Sequence, residues 1–306
     1  MTPLFAALAL FAQPVPTPAA PGPDFDALLD LRAGDEACGL FDAPHRALLD
    51  AALARARDDR VRAGADPSTL DRAEARRDSA APLDCEAAAL AELKRRHEAR
   101  AAALAGYSDL TFPGVHRDWV VDRGAVRAGH SNTPRWRIAQ RDGQGQAWFG
   151  VYEHDGRMQL ALAYNSEVRA ARAGLMFRDA DRQAHPLDFT AGGLLPAPDG
   201  DPAASWGAPA GAQARVSASS RLGAELAANL APAGGTPARG FAFSMDALQR
   251  VSALAPRESL AVELRDATGQ VTERYWFEIG ALRAAMALQA MALSPAERAP
   301  EASPAP

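Results

Sequence analysis

The stretch Ala147-Trp148-Phe149-Gly150-Val151-Tyr152-Glu153-His154-Asp155-Gly156-Arg157-Met158-Gln159-Leu160-Ala161-Leu162-Ala163-Tyr164 decides the fold. Two short apolar runs rich in aromatic and branched residues flank Asp155-Gly156, and neither has the three-to-four spacing of a helix. Asp-Gly between such runs is the strongest local hairpin signal, because a two-residue turn needs positive φ. Outward from this hairpin the same pattern recurs at Trp119-Val120-Val121 and at Trp136-Arg137-Ile138-Ala139. Further strands are expected at 174–178, 184–189, 214–219, 241–244, 260–265 and 271–279, with Thr268-Gly269 turning the last pair. A short capped helix is expected at 246–254 and a terminal helix on the sheet at 281–293. Strands with no long helices between them predict an antiparallel sandwich or an open barrel.

Upstream the period is helical. Asp42 can cap a helix with Pro44 in its first turn, which runs through Leu48, Leu49, Leu53 and Ala56 and stops by Gly64. Asp66-Pro67 starts a shorter one that ends near Ser79. Asp84 precedes a third, in which Leu90, Leu93, His97, Ala101 and Leu104 recur at helical spacing until Gly106. A short leading helix is expected at 24–31. Cys38 and Cys85 are the whole cysteine inventory, which excludes four-thiolate metal sites and Cys-x-x-Cys chemistry. An even count, in a chain whose apolar run Leu4 to Ala12 resembles an export signal, predicts one disulfide tying the starts of two helical segments. Closing so long a loop is worth about 4 kcal/mol on the chain-entropy account. The expected fold class is therefore α+β: a disulfide-clamped helical bundle at 24–106, then an antiparallel β-sandwich-like domain at 107–293 that ends in a C-terminal helix.

The ends are read separately. Leu4 to Ala12 is a short apolar run, and Gln13 to Pro21 is proline-rich. This resembles a bacterial secretory signal at 1–12 followed by a linker at 13–23, and predicts a periplasmic or secreted protein. The run is too short to span a bilayer, so no stable transmembrane anchor is expected after cleavage. Residues 294–306 have the composition of a disordered tail.

With 306 residues, 48% hydrophobic and 23% charged, the chain has ample material for a core and is neither disordered nor collagen-like. A net charge of −5 without a basic block gives no footprint for nucleic acid. Lys94 is the only lysine, so nearly every cation is arginine. The arginines alternate with acids, as in Arg55-Ala56-Arg57-Asp58-Asp59-Arg60, the pattern of a solvated helix face.

Chemistry is sparse. The nucleophile elbow, the P-loop, His-Glu-x-x-His and Ser-x-x-Lys are all missing from the sequence. Gly143-Gln144-Gly145 precedes a strand rather than a helix, so a hairpin turn accounts for it better than a phosphate loop. His116, His130, His154 and His185 fall in loops or turns, and Glu153-His154-Asp155 gathers three possible ligands at one hairpin tip. Successive strand residues point to opposite faces, so no metal site and no cofactor are expected there. His97 on its apolar stripe reads as a satisfied core or edge histidine. His130, beside Ser131, and His154 remain candidates for a ligand site. Trp206, alone in the Gly/Pro-rich stretch 192–211, is the third candidate, and that stretch reads as a flexible excursion.

Two resemblances follow from quoted residues. Cys38-Gly39-Leu40-Phe41, the arginine-rich helix and Asp84-Cys85 resemble a group of uncharacterised exported proteins of Gram-negative bacteria. Ser259-Leu260-Ala261-Val262-Glu263-Leu264-Arg265, Gly269-Gln270-Val271 and Phe277-Glu278-Ile279-Gly280-Ala281-Leu282 resemble the final hairpin and helix of the invasion-associated locus B family. That family carries cysteines in its β-domain, and this chain has none there. The resemblance implies a periplasmic β-sandwich without known catalysis and assigns no functional residue. The expectation is a non-enzymatic exported protein that binds an envelope protein or a small ligand. A periplasmic hydrolase acting on cell-wall or ester substrates, or a small-ligand carrier opened beside Trp206, are the alternatives.

Overall fold

The computed structural model describes residues 24–78, 84–107, 109–114, 116–123, 136–154, 156–165, 169–183, 200–231 and 239–292. The expected signal segment, the linker, the strand at 184–189 and the tail lie outside them. The chain is mixed α+β, with seven helices and two antiparallel sheets among the described residues.

The helical layer comes first: α1 (Phe25–Cys38), α2 (Ala43–Arg62), α3 (Pro67–Asp78) and α4 (Ala88–Ala105). The leading helix is longer than expected, because Leu28, Leu29 and Leu31 are all buried and continue its apolar face. It stops at Gly39, whose φ of 62° is left-handed and whose N–H bonds the Asp35 carbonyl. Cys38 therefore ends one helix instead of beginning another. Its disulfide partner Cys85 lies just before α4, and the bond closes 47 residues of chain. Asp42 caps α2 as its position predicts, with its carboxylate accepting from the His45 N–H.

Strands follow in order: β1 (Asp109–Phe112), β2 (Trp119–Asp122), β3 (Arg137–Arg141), β4 (Ala147–His154), β5 (Arg157–Tyr164), β6 (Arg172–Arg178), β7 (Gln213–Ser217) and β8 (Ser220–Leu222). The chain then forms α5 (Ala224–Ala228), β9 (Arg239–Phe243), α6 (Met245–Ser252), β10 (Ser259–Arg265), β11 (Val271–Glu278) and α7 (Leu282–Ala292). The seven-stranded sheet has the order β1-β2-β3-β4-β5-β9-β8, and the four-stranded sheet the order β11-β10-β6-β7. His154 pairs with Arg157, so the central hairpin has the two-residue loop its Asp-Gly demands, and Gly156 has a φ of 71°. Gly143-Gln144-Gly145 is likewise a hairpin turn. The Asp142 carboxylate holds it by accepting from the backbone N–H groups of Gln144, Gln146 and Ala147.

Alternate residues of both sheets enter one apolar core, in which Phe149 of β4 and Phe277 of β11 bring their rings to 5.2 Å. Gln140, fully buried, joins the sheets by accepting from the Glu278 N–H at 2.7 Å. Residues 200–211 depart from the flexible excursion expected of them. Asp201 caps a short 3-10 helix at 202–206, and Ala203 and Ala204 are buried against Met176, Ala261 and Trp276 on the outer face of the four-stranded sheet. Gly207 crosses so near the Trp276 ring that a Cβ would meet it at 2.3 Å, and only glycine allows that approach.

α7 has two apolar sides. Leu282 and Ala285 enter the core between the sheets, while Ala284 packs with Leu48 of α2 and Ala101 of α4. A helix with apolar residues on two sides buries both, and leaves only its remaining face, with Arg283 and Ala290, exposed. It therefore serves as the wall between the sheets and the helical layer, pinned by an ion pair of Arg283 with Asp50 at 4.0 Å.

Candidate functional site

Where the helical layer meets the first strand, a groove of about 480 Å³ opens between α1, α2, α4 and β1. Its floor comes from the sequence pattern. The α4 stripe that begins at Leu90 and Leu93 in the helical core continues into the groove through His97, Ala101 and Leu104. Leu28 and Leu31 of α1 and Leu48 of α2 are buried beneath it. Leu110 and Phe112, on alternate positions of β1, close the far side. A volume of this size, mostly apolar with a few polar groups, is what small-molecule sites offer.

The polar groups lie at the opening. Arg55, Arg96 and Arg100 line the groove and are exposed. Arg55 is 3.8 Å from Asp59, and Arg96 donates to Glu92 at 2.6 Å, but neither acid lines the groove. Arg100 makes no ion pair among the described residues. Asp24 is the lining carboxylate, and Arg60 holds it. His97 is almost completely buried, with its Nε2 donating to the His45 carbonyl at 2.9 Å and its ring 4.9 Å from Phe41. Burial holds its pKa below the ordinary histidine value, so at neutral pH it adds a neutral wall to the groove.

Two other polar clusters are structural in geometry. On the outer face of the four-stranded sheet, Glu263 is 2% exposed and accepts from Arg215, Arg265 and Arg274. Burial opposes its ionisation, but the hydrogen bonds from Arg274 and Arg265 outweigh that and hold the carboxyl below its usual range. At the junction of the sheets, Arg117 donates to the Trp276 carbonyl and to Asp201, and Glu278 accepts from the His116 N–H at 2.7 Å. These carboxylates are occupied by partners and are not free bases.

The groove is not where the sequence pointed. Trp206 ends the 3-10 helix, with its ring edge-on to His116 at 5.9 Å. Its Nε1 is buried without a hydrogen-bond partner among the described residues. It is not part of the groove. His130 lies outside the described residues, and of His154 the structure describes the strand-end backbone but not the side chain. No set of three or more possible metal ligands comes together among the described residues. No described helix is long and apolar enough to cross a membrane. The groove had one legible signal, the His97 stripe continuing past the residues that a four-helix core can use. Arg96 and Arg100 flank that stripe, and nothing in the sequence singled them out from the other arginines. β1 was missed altogether, because its four residues are short and lie between Gly106 and Pro113. Against this geometry, comparison with protein-family models, with curated proteins and with solved structures finds no match for the chain.

Proposed function

We propose that the protein is a non-enzymatic binding module of an oxidising compartment outside the inner membrane, with the groove between the helical layer and β1 as its binding site. The fold is read as a disulfide-clamped helical bundle set on a β-sandwich, and the resemblance of residues 259–282 to the invasion-associated locus B family is consistent with that reading. The observation that carries it is the apolar floor of Leu28, Leu31, Leu48 and Ala101 beneath an opening edged by arginine. The disulfide between Cys38 and Cys85 supports the compartment, since such bonds persist where thiols are not kept reduced.

Nile red, a neutral dye whose emission rises in apolar surroundings, tests the site. The dye should bind saturably to the oxidised full chain. Ala27→Phe, which places a ring on the half-buried α1 wall of the groove, should abolish saturation while the circular dichroism spectrum is unchanged. Saturable binding that Ala27→Phe leaves intact would place the site elsewhere.

A further inference from the structure

Resting on that reading of the groove, we infer that its occupant is a free fatty acid, with the acyl chain on the Leu28, Leu48 and Ala101 floor and the carboxylate held at Arg96 and Arg100. Three observations converge on this class. The groove is apolar along its depth and has one volume of about 480 Å³, room for a single chain rather than the body of a multi-chain lipid. Its charge is one-sided, because the exposed lining cations are Arg55, Arg96 and Arg100, while the lining carboxylate Asp24 already accepts from Arg60. Arg96 and Arg100 stand four residues apart on α4, so they are neighbours on one helix face and can converge on one head group.

The arginine chemistry narrows the head group. A guanidinium offers a planar fork of donors that matches a carboxylate, and such charge-assisted pairs are the stronger hydrogen bonds. Arg100 has no competing acid among the described residues, and Arg96 spends its Nε on Glu92, which leaves its other donors for a ligand. Beneath them His97 donates its Nε2 proton to the His45 carbonyl, and its burial disfavours the charged ring, so the wall below the head group is uncharged at neutral pH, as an acyl chain requires. A cationic amphiphile would meet the same arginines as repulsion.

Displacement of Nile red from the oxidised full chain by ligands of equal chain length separates the alternatives. The probes are decanoate, decanol, decyltrimethylammonium and decyl phosphate, at concentrations below micelle formation. Decanoate is expected to displace the dye at about one tenth the concentration of decanol, the gain of a charge-assisted pair at an exposed site. The preference should shrink as salt is raised, because the arginines are exposed. Arg96→Gln/Arg100→Gln should bind decanoate and decanol alike. If wild-type protein already binds the two alike, or prefers decyltrimethylammonium, the fatty-acid assignment falls while the groove stands as a site. If decyl phosphate binds more tightly than decanoate, the carboxylate assignment falls in favour of a phosphate head. If no probe displaces the dye and Ala27→Phe does not affect it, the groove reading falls as well.

Discussion

The helical layer and the paired sheets are built from the same alanine-rich, arginine-rich chain, yet the balance of forces that holds each together differs. Between the sheets, rings and branched side chains such as Trp119, Phe149, Leu162, Phe241 and Phe277 are buried almost completely and form one continuous core. The helices contribute a smaller cluster around Phe25, Leu29, Leu49, Leu53 and Leu70. They make up the difference with cross-links. The nearly buried Arg57 of α2 binds Glu74 and Asp71 of α3, Arg60 binds Asp24 and Asp26, and Arg46 chelates Asp35. The disulfide fastens the end of α1 to the start of α4. The sheets have buried ion pairs too, Arg178 with Glu258 and Glu263 with its three arginines, but these sit beside a continuous apolar core. Alanine builds helices readily but buries little area, so the helical layer leans more heavily on its ion pairs and on the covalent tie.

The difference can be broken experimentally, and the disulfide is the largest lever. Cys38→Ser/Cys85→Ser should lose about 4 kcal/mol, the entropy of a loop of 47 residues. Helical circular dichroism should melt earlier, while the near-ultraviolet signal of the buried sheet tryptophans persists to the wild-type temperature. A joint shift of both signals would show that α7 couples the two regions into one cooperative unit and would end the contrast.

Next in size is the charge network. Arg57→Ala removes a guanidinium that is 5% exposed and leaves Glu74 and Asp71 able to rehydrate, so a loss of about 2 kcal/mol is expected in denaturant unfolding. The loss should appear in the helical signal. An effect below a few tenths of a kcal/mol would mean the helices rest on their apolar cluster after all.

The smallest effects are in pH. His97 titrates below 6.5 in the folded chain because it is buried, so the unfolded chain takes up its proton first. Helical stability should therefore begin to fall as pH drops through 6.5, and His97→Gln should flatten that slope. The carboxyl of Glu263 is held below 4.5, so its contribution to the sheets is present above that pH and is lost only as pH falls further. At the other extreme, burial pushes the Tyr152 hydroxyl up to about 12, so sheet stability is present below pH 10 and falls as pH rises from 10 towards 12. Sheet and helix signals that move together through all three windows would contradict the assignment of each group to its region.

Much of the local structure was legible because its causes lie within a few residues. Asp155-Gly156 announced a two-residue hairpin, Asp42 a cap, and the stripe of α4 a buried helix face, each through backbone preferences that act within one turn. The pairing of Cys38 with Cys85 followed from there being two cysteines. The short β8 and α5 escaped because three- and five-residue elements carry too little pattern to stand out from loop composition. Residues 200–211 read as a loop, since alanine and glycine have no periodic signature, and only the outer face of Trp276 gives them something to pack against.

By itself, then, the sequence determined the longer helices and strands, the Asp-Gly hairpin and the one disulfide, but not the short β1, β8 and α5. Tertiary structure alone decided that α7 stands between the two regions, that β1 adds an edge beside α4, and that the space left between them is apolar and edged by arginine. Local elements form from short-range backbone and patterning preferences, whereas a groove is a remainder. It exists only where surfaces from distant parts of the chain approach without closing, and no single segment encodes that distance.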